Sequence, residues 1–114
     1  MHRGEIWLVQ LNPIVGNEIG KIRPVVIVSN DAIGILPLKV IVPITDWKDR
    51  YTVYPWMVKL EPTKDNGLIK VSTADTFQVR SLSQERFVRK LGQLENQLIQ
   101  DIRGALAVVL DILP

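Results

Sequence analysis

Apolar residues fall at helical steps only at the C-terminal end of this chain. From Glu95 onward, Leu98, Ile99, Ile102, Leu106, Val109, Leu110 and Leu113 recur every three or four positions, the spacing of an amphipathic helix. Upstream, apolar and β-branched residues come in short runs broken by Pro, Gly, Asn and Asp. These runs predict strands at residues 6–11, 24–29, 39–44, 57–60, 68–71, 76–79 and 87–91. The Pro-Val-Val-Ile-Val-Ser run at 24–29 is apolar enough to be buried on both faces. The third strand ends at Thr45, and residues 30–37 read as a connection. Many short strands closed by one helix predict a mainly β fold, a small curled antiparallel barrel with the helix packed on it. The helix has Gly104 in its interior, costing about 1 kcal/mol relative to Ala, and Glu95 is a weak N-cap. Packing must therefore hold it.

With 114 residues the chain has the length of a single domain, residues 1–114. It contains no Cys, which excludes disulfides, thiolate zinc sites and a cysteine nucleophile. Its one histidine, His2, argues against a Ser-His-Asp triad or a multi-histidine centre, so no metal and no cofactor are expected. The net charge of +2 makes the chain no polycation, and the pI of about 9.1 permits a nucleic-acid partner without demanding one. The longest apolar run, 105–110, is six residues against the ~18 of a membrane span, so a soluble cytoplasmic protein is expected.

Three stretches are rich in groups that bind or transform anions. In residues 13–24, Gly16 and Gly20 flank a polar tip that brings Glu18, Lys21 and Arg23 to the start of a buried strand. This stretch reads as a mobile loop. Pro24 biases Arg23 towards extended backbone, and an arginine at a strand rim suits bidentate phosphate binding. A surface ion pair between Glu18 and Arg23 is the plain alternative. The second stretch is Thr45-Asp46, a hydroxyl at a strand end or simply a turn. In the third, Asp75, Gln78 and Arg80 either line a groove or form the wet face of an edge strand. Trp47, Tyr51, Tyr54 and Trp56 could stack bases or cover a barrel end.

Taken in order, Arg3-Gly4-Glu5-Ile6-Trp7, Gly16-x-Glu18-x-Gly20-x-x-Arg23-Pro24, Val42-Pro43-Ile44-Thr45, Asp75-x-x-Gln78-Val79-Arg80-Ser81 and Leu91-Gly92-x-Leu94 resemble the MazF/PemK family of toxins over nearly the whole chain. The resemblance implies an SH3-like barrel with a C-terminal helix, acting as a homodimer. The implied activity is sequence-specific, metal-independent cleavage of single-stranded RNA, restrained by a cognate MazE-like antitoxin. Arg23 and Thr45 would be the catalytic pair, assisted by Glu18. Asn17, Ile19, Lys21, Asp75, Gln78 and Arg80 would meet the substrate. Asn17 and Ile19 depart from the residues common at those positions, so base preference does not transfer.

Cleavage without metal uses the substrate's own 2′-OH as nucleophile on the adjacent phosphorus, giving a 2′,3′-cyclic phosphate and a 5′-OH. The protein must take the 2′-OH proton, stabilise the phosphorane and assist the leaving oxygen. Glu18 is the carboxylate of the loop, as base or as a partner orienting Arg23. By the resemblance, Arg23 would stabilise charge and Thr45 would hold the phosphate. Two alternatives stay open: a gyrase-binding toxin of the related CcdB type, and an inactive module that only binds antitoxin or RNA.

Overall fold

The computed structural model describes residues 1–33 and 36–113; Gly34 and Ile35, in the expected connection, lie outside the described residues. Seven strands form: β1 (Glu5–Gln10), β2 (Ile22–Ile27), β3 (Leu38–Asp46), β4 (Met57–Leu60), β5 (Ser72–Asp75), β6 (Arg80–Ser83) and β7 (Phe87–Gln93). One helix follows, α1 (Asn96–Val109). All strand pairs are antiparallel, in the order β4-β5-β3-β2-β1-β7, with β6 also on β3.

The long strand β3 makes the sheet curl. Its first half, Leu38 to Ile41, pairs with β6, and its last residues, Ile44 to Asp46, pair with β5. Each half belongs to a different part of the sheet, so the sheet has two apolar sides to cover. On one side Ile6, Val26, Val42, Ile44 and Leu60 pack with Ile102 of α1. On the other, Val9, Val25, Ile27, Ile41 and Leu82 pack together, with Trp7 and Phe87 against them. In β2, Val26 faces the first cluster while Val25 and Ile27 face the second, which is why this strand is apolar at successive positions. Each fully buried Val or Ile contributes about 1.5–3 kcal/mol.

Glu5 is the buried charge that ties β1 to β7. Burial raises its pKa, but the hydrogen bond donated by the Trp7 indole and the nearby Lys90 ammonium help bring it below the ordinary value. The indole bond is 2.8 Å and the ammonium lies at 3.4 Å.

Two expected strands are displaced. The strand expected at 68–71 forms four residues later, as β5. The Asn66 side chain accepts from the N–H groups of Thr63 and Leu68 at 3.0 and 2.9 Å and donates to the Glu61 carbonyl at 2.9 Å. These bonds extend the turn and occupy the Leu68 N–H that a ladder would have used. β5 is polar in sequence yet buried throughout. Its hydroxyls are satisfied locally, with Ser72 donating to the Lys70 carbonyl at 2.9 Å. The strand expected at 76–79 is a short 3-10 turn, Thr76–Gln78. Asp75 caps that turn by accepting the Phe77 N–H at 3.2 Å.

The helix ends earlier than the apolar spacing suggests, so Leu113 lies beyond it. Asp111 takes φ 55, and its N–H and that of Ile112 bond the carbonyls of Val108 and Ala107 at 3.3 and 2.9 Å. This left-handed closure stops the helix. Glu95 is its N-cap and makes no side-chain cap bond.

Candidate active site

The register of β2 on β3 pairs Val25 with Pro43. Carried two residues further, it sets Arg23 across from Thr45. Both line a cavity of about 260 Å³ together with Asp46, Lys70, Ser72 and Arg89. Arg23 is anchored by a long hydrogen bond from its Nε to the Gly20 carbonyl, 3.4 Å. Thr45 lies inside β3, opposite Thr73, and the strand continues through Asp46. The Asp46 carboxylate pairs with the Lys70 ammonium at 3.0 Å. Three cations and two hydroxyls around one small hollow suit an oxyanion such as a phosphodiester.

A second hollow of about 520 Å³ is lined by Asn17, Glu18 and Ile19 of the loop, Pro43 of β3, and Phe77, Gln78 and Arg80. Pro43 and Thr45 are two residues apart on one strand, so their side chains share a face and the two hollows adjoin along β3.

The structure thus brings Arg23 to Thr45 but puts Glu18 in the neighbouring hollow. The Glu18 carboxylate accepts the Val15 N–H at 2.5 Å, and no Glu18–Arg23 ion pair forms among the described residues. The loop expected to be mobile is tied at its neck and its tip. At the neck, Asn12 Oδ1 accepts the Lys21 N–H at 2.9 Å, with Lys21 at φ 66. At the tip, Gln78 Oε1 accepts the Ile19 N–H at 2.8 Å while its Nε2 donates to the Asn17 carbonyl at 3.2 Å. Gln78 therefore spends its amide on the loop backbone. Lys21 is exposed and lines neither hollow. Asp75 is buried as the cap already described, and burial holds its carboxyl above the ordinary aspartate value.

Lys70, Ser72 and Arg89 were not anticipated as site residues. They come from the turn before β5, from β5 itself and from β7, and only folding brings them together. Arg89 carried a weak signal: it sits in the basic strand β7 opposite Leu8 of β1, next to the strand that bears Arg23. Among the described residues, no group of three or more His, Cys, Asp or Glu side chains is arranged to hold a metal ion. Among the described residues, no helix is long and apolar enough to cross a membrane.

A curled, seven-stranded antiparallel sheet with a C-terminal helix, carrying a cation-lined hollow where β2 meets β3, defines a small, mainly β protein. The family of PemK-like, MazF-like toxins of type II toxin–antitoxin systems matches residues 2–110. Endoribonuclease MazF9 of Mycobacterium tuberculosis is 35% identical over 118 residues, covering 98% of each chain. The crystal structure of MazF from Deinococcus radiodurans superposes with a TM-score of 0.79 at 26% identity, covering 96% of both chains. A crystal structure of MazE-MazF from the same organism gives 0.71 at 26% identity, covering 96% of this chain and 95% of that one. The chain belongs to the MazF/PemK toxin family.

Proposed function

We propose that this chain is the toxin of a type II toxin–antitoxin pair and acts as a sequence-specific, metal-independent endoribonuclease on single-stranded RNA. The observation that carries the proposal is the meeting of Arg23 and Thr45 at one cavity. Family membership and the endoribonuclease name of the relative support it. The scissile phosphate sits in this cavity. Arg23 stabilises the charge of the phosphorane, and Thr45 donates to a phosphate oxygen. A carboxylate accepts the 2′-OH proton, the 2′-oxygen bonds to phosphorus, and the 5′-oxygen leaves with a proton. Asp46 borders this cavity; Glu18 borders the adjoining one and shapes the loop. Neighbouring nucleotides run over the second hollow, past Asn17, Ile19, Gln78 and Arg80, with Lys21 outside it at the exposed neck of the loop and Asp75 holding the turn beneath.

The protein works as one domain and as a homodimer in the cytoplasm, where its RNA substrate is. Leu36, Leu38 and Val40 support the dimer, being 54%, 47% and 38% exposed at the start of β3. Exposed apolar side chains grouped this way are characteristic of subunit faces. Light scattering should give about twice 12.9 kDa; a monomer would count against it. The cognate MazE-like antitoxin inhibits by laying an acidic, extended segment over the cations of the groove.

The deciding experiment is RNA cleavage with and without EDTA, followed by mapping of the cut ends. Cutting that persists in EDTA and leaves a cyclic phosphate and a 5′-OH is expected. Cutting that stops in EDTA, or that persists on a strand lacking 2′-OH groups, overturns the mechanism. RNA left intact overturns the function.

A further inference from the structure

Five aromatic rings form a continuous chain from the residue after β3 to the second hollow. Trp47 meets Tyr51 edge-on at 5.8 Å, and Tyr51 meets Tyr54 at 6.0 Å. Tyr54 stacks on Trp56 at 4.8 Å with planes 7° apart, and Trp56 meets Phe77 edge-on at 5.7 Å. One end, Trp47, directly follows Asp46 of the Arg23–Thr45 cavity. The other, Phe77, lines the second hollow. Phe77 is 65% exposed, which a ring serving only as core filler would not be. The other four rings are each partly exposed.

Three cations stand beside this strip, among acids that hold two of its members: Asp49 accepts from the Trp47 indole at 3.3 Å, and Glu61 pairs with Lys59 at 3.8 Å. The Lys59 ammonium lies 5.0 Å from the Trp47 ring centroid, and the Arg50 guanidinium 5.2 Å from that of Tyr51. Lys48 is exposed next to them. Rings interleaved with cations match the two needs of a single strand: faces for the bases and positive charge for the phosphates.

We propose that Trp47, Tyr51, Tyr54, Trp56 and Phe77 form a stacking platform for the bases of single-stranded RNA flanking the scissile phosphate. Choosing RNA as the occupant rests on the endoribonuclease reading. Stacking is tolerant of base identity, because every base has a π-face, so the platform adds affinity and leaves the cut sequence to the loop.

The test measures binding of two labelled single strands of about 12 nucleotides, one of thymidines and one abasic with the same phosphates. Neither carries a 2′-OH, so neither is cut by the proposed chemistry. In the wild type, the thymidine strand should quench tryptophan fluorescence and the abasic strand should not. Tyr51→Leu should weaken the thymidine strand roughly 5- to 150-fold, the range for one lost stacked base, and leave the abasic strand unchanged. Tyr51→Phe should bind both as the wild type does. Should Tyr51→Leu fail to fold, Phe77→Leu, at an exposed position, takes its place with the same expectation. Thymidine binding that survives the leucine variants overturns the platform, as does equal loss on both strands. So does a strip that loses an acidic peptide such as polyglutamate but not the thymidine strand, since the strip then faces a protein. RNA cleavage by the wild type is scored separately. Uncut RNA with strip-dependent thymidine binding removes the nuclease reading and keeps the platform. Cut RNA with strip-independent thymidine binding does the reverse.

Discussion

Gln78 holds Ile19 across 59 residues of sequence, its side-chain oxygen accepting the Ile19 N–H at 2.8 Å. With the second bond to the Asn17 carbonyl, one amide fixes both residues that flank Glu18. The loop's tip is thereby tied to the turn between β5 and β6. Gly20 lets the neck close: a Cβ there would meet Asn12 Oδ1 at 2.7 Å, the same atom that holds the Lys21 N–H. The loop is a folded part of the site.

Gln78→Ala should release the tip. Each lost hydrogen bond contributes about 0.5–1.5 kcal/mol, so exchange of the Ile19 amide should accelerate roughly 10-fold while core amides of β2 and β3 stay as slow as before. Activity should fall with it. An Ile19 amide exchanging at the wild-type rate would show that the latch is not what orders the loop.

Arg23→Ala and Arg23→Lys should both lower kcat by roughly 10²–10³, the cost of one lost transition-state donor. The lysine keeps the charge but not the planar fork. Binding of an uncleavable strand should weaken much less, since the stabilised charge develops only in the transition state. Thr45→Ala should act in the same direction but more mildly. Single-turnover kinetics beside titration of a 2′-deoxy strand separates the two effects. Near-normal cleavage by folded Arg23→Ala would remove Arg23 from the chemistry.

The proposed chemistry needs a carboxylate to take the 2′-OH proton, and the positions of Asp46 and Glu18 make different forecasts. Asp46 lines the cavity with Arg23, whereas Glu18 lines the adjoining hollow and is bonded to its own loop. Asp46→Asn should therefore cost kcat at least 10²-fold, in the range of general-base catalysis. Glu18→Gln should act more on KM. A pH–rate profile whose acid limb survives in Asp46→Asn would return the proton to Glu18.

Asp75 makes stability depend on pH in an uncommon direction. Burial raises its folded pKa, opposed by the bond from the Phe77 N–H. The folded state therefore holds this proton more tightly than the unfolded chain does. The group's contribution to stability is full below the unfolded value of about 3.9 and is lost as pH rises through the folded value. Asp75→Asn keeps an acceptor for Phe77 and removes the charge. Its melting temperature relative to wild type should thus climb between acid and neutral pH. A constant difference across that range would assign the effect to another group.

Gly92 and Gly104 should respond oppositely to alanine. A Cβ on Gly92 would lie 2.2 Å from the Asp65 carbonyl oxygen, where the 61–67 turn crosses β7. Backbone must move, at a cost of about 1–3 kcal/mol. Gly104 has open space around its Cβ position on α1, so alanine should add about 0.5–1 kcal/mol through helix propensity. Urea denaturation of both variants checks the pair.

What the sequence determined was whatever depends on local periodicity. The β-branched runs of β1, β2 and β3, the switch to helical spacing after Glu95, and the placing of Arg23 at a strand rim all follow from residues close in the chain. The mainly β class with a terminal helix was legible for that reason. β5 was not, because Ser72, Thr73 and Asp75 look like a loop until β3 and β4 close over them and their polar groups find partners. The turn at Thr76–Gln78 was missed because one cap from Asp75 outweighs the strand propensity of its neighbours. The site divides in the same way. Arg23, Thr45 and Glu18 could be named from sequence, but which of them share a cavity depends on the β2–β3 register. Lys70, Ser72 and Arg89 join Arg23 only because the sheet order places β5 on one side of β3 and β2, and β1 with β7 on the other. A side chain's type is local, whereas its distance from a residue twenty or sixty positions away is set by the packing of the two apolar clusters that fold the sheet.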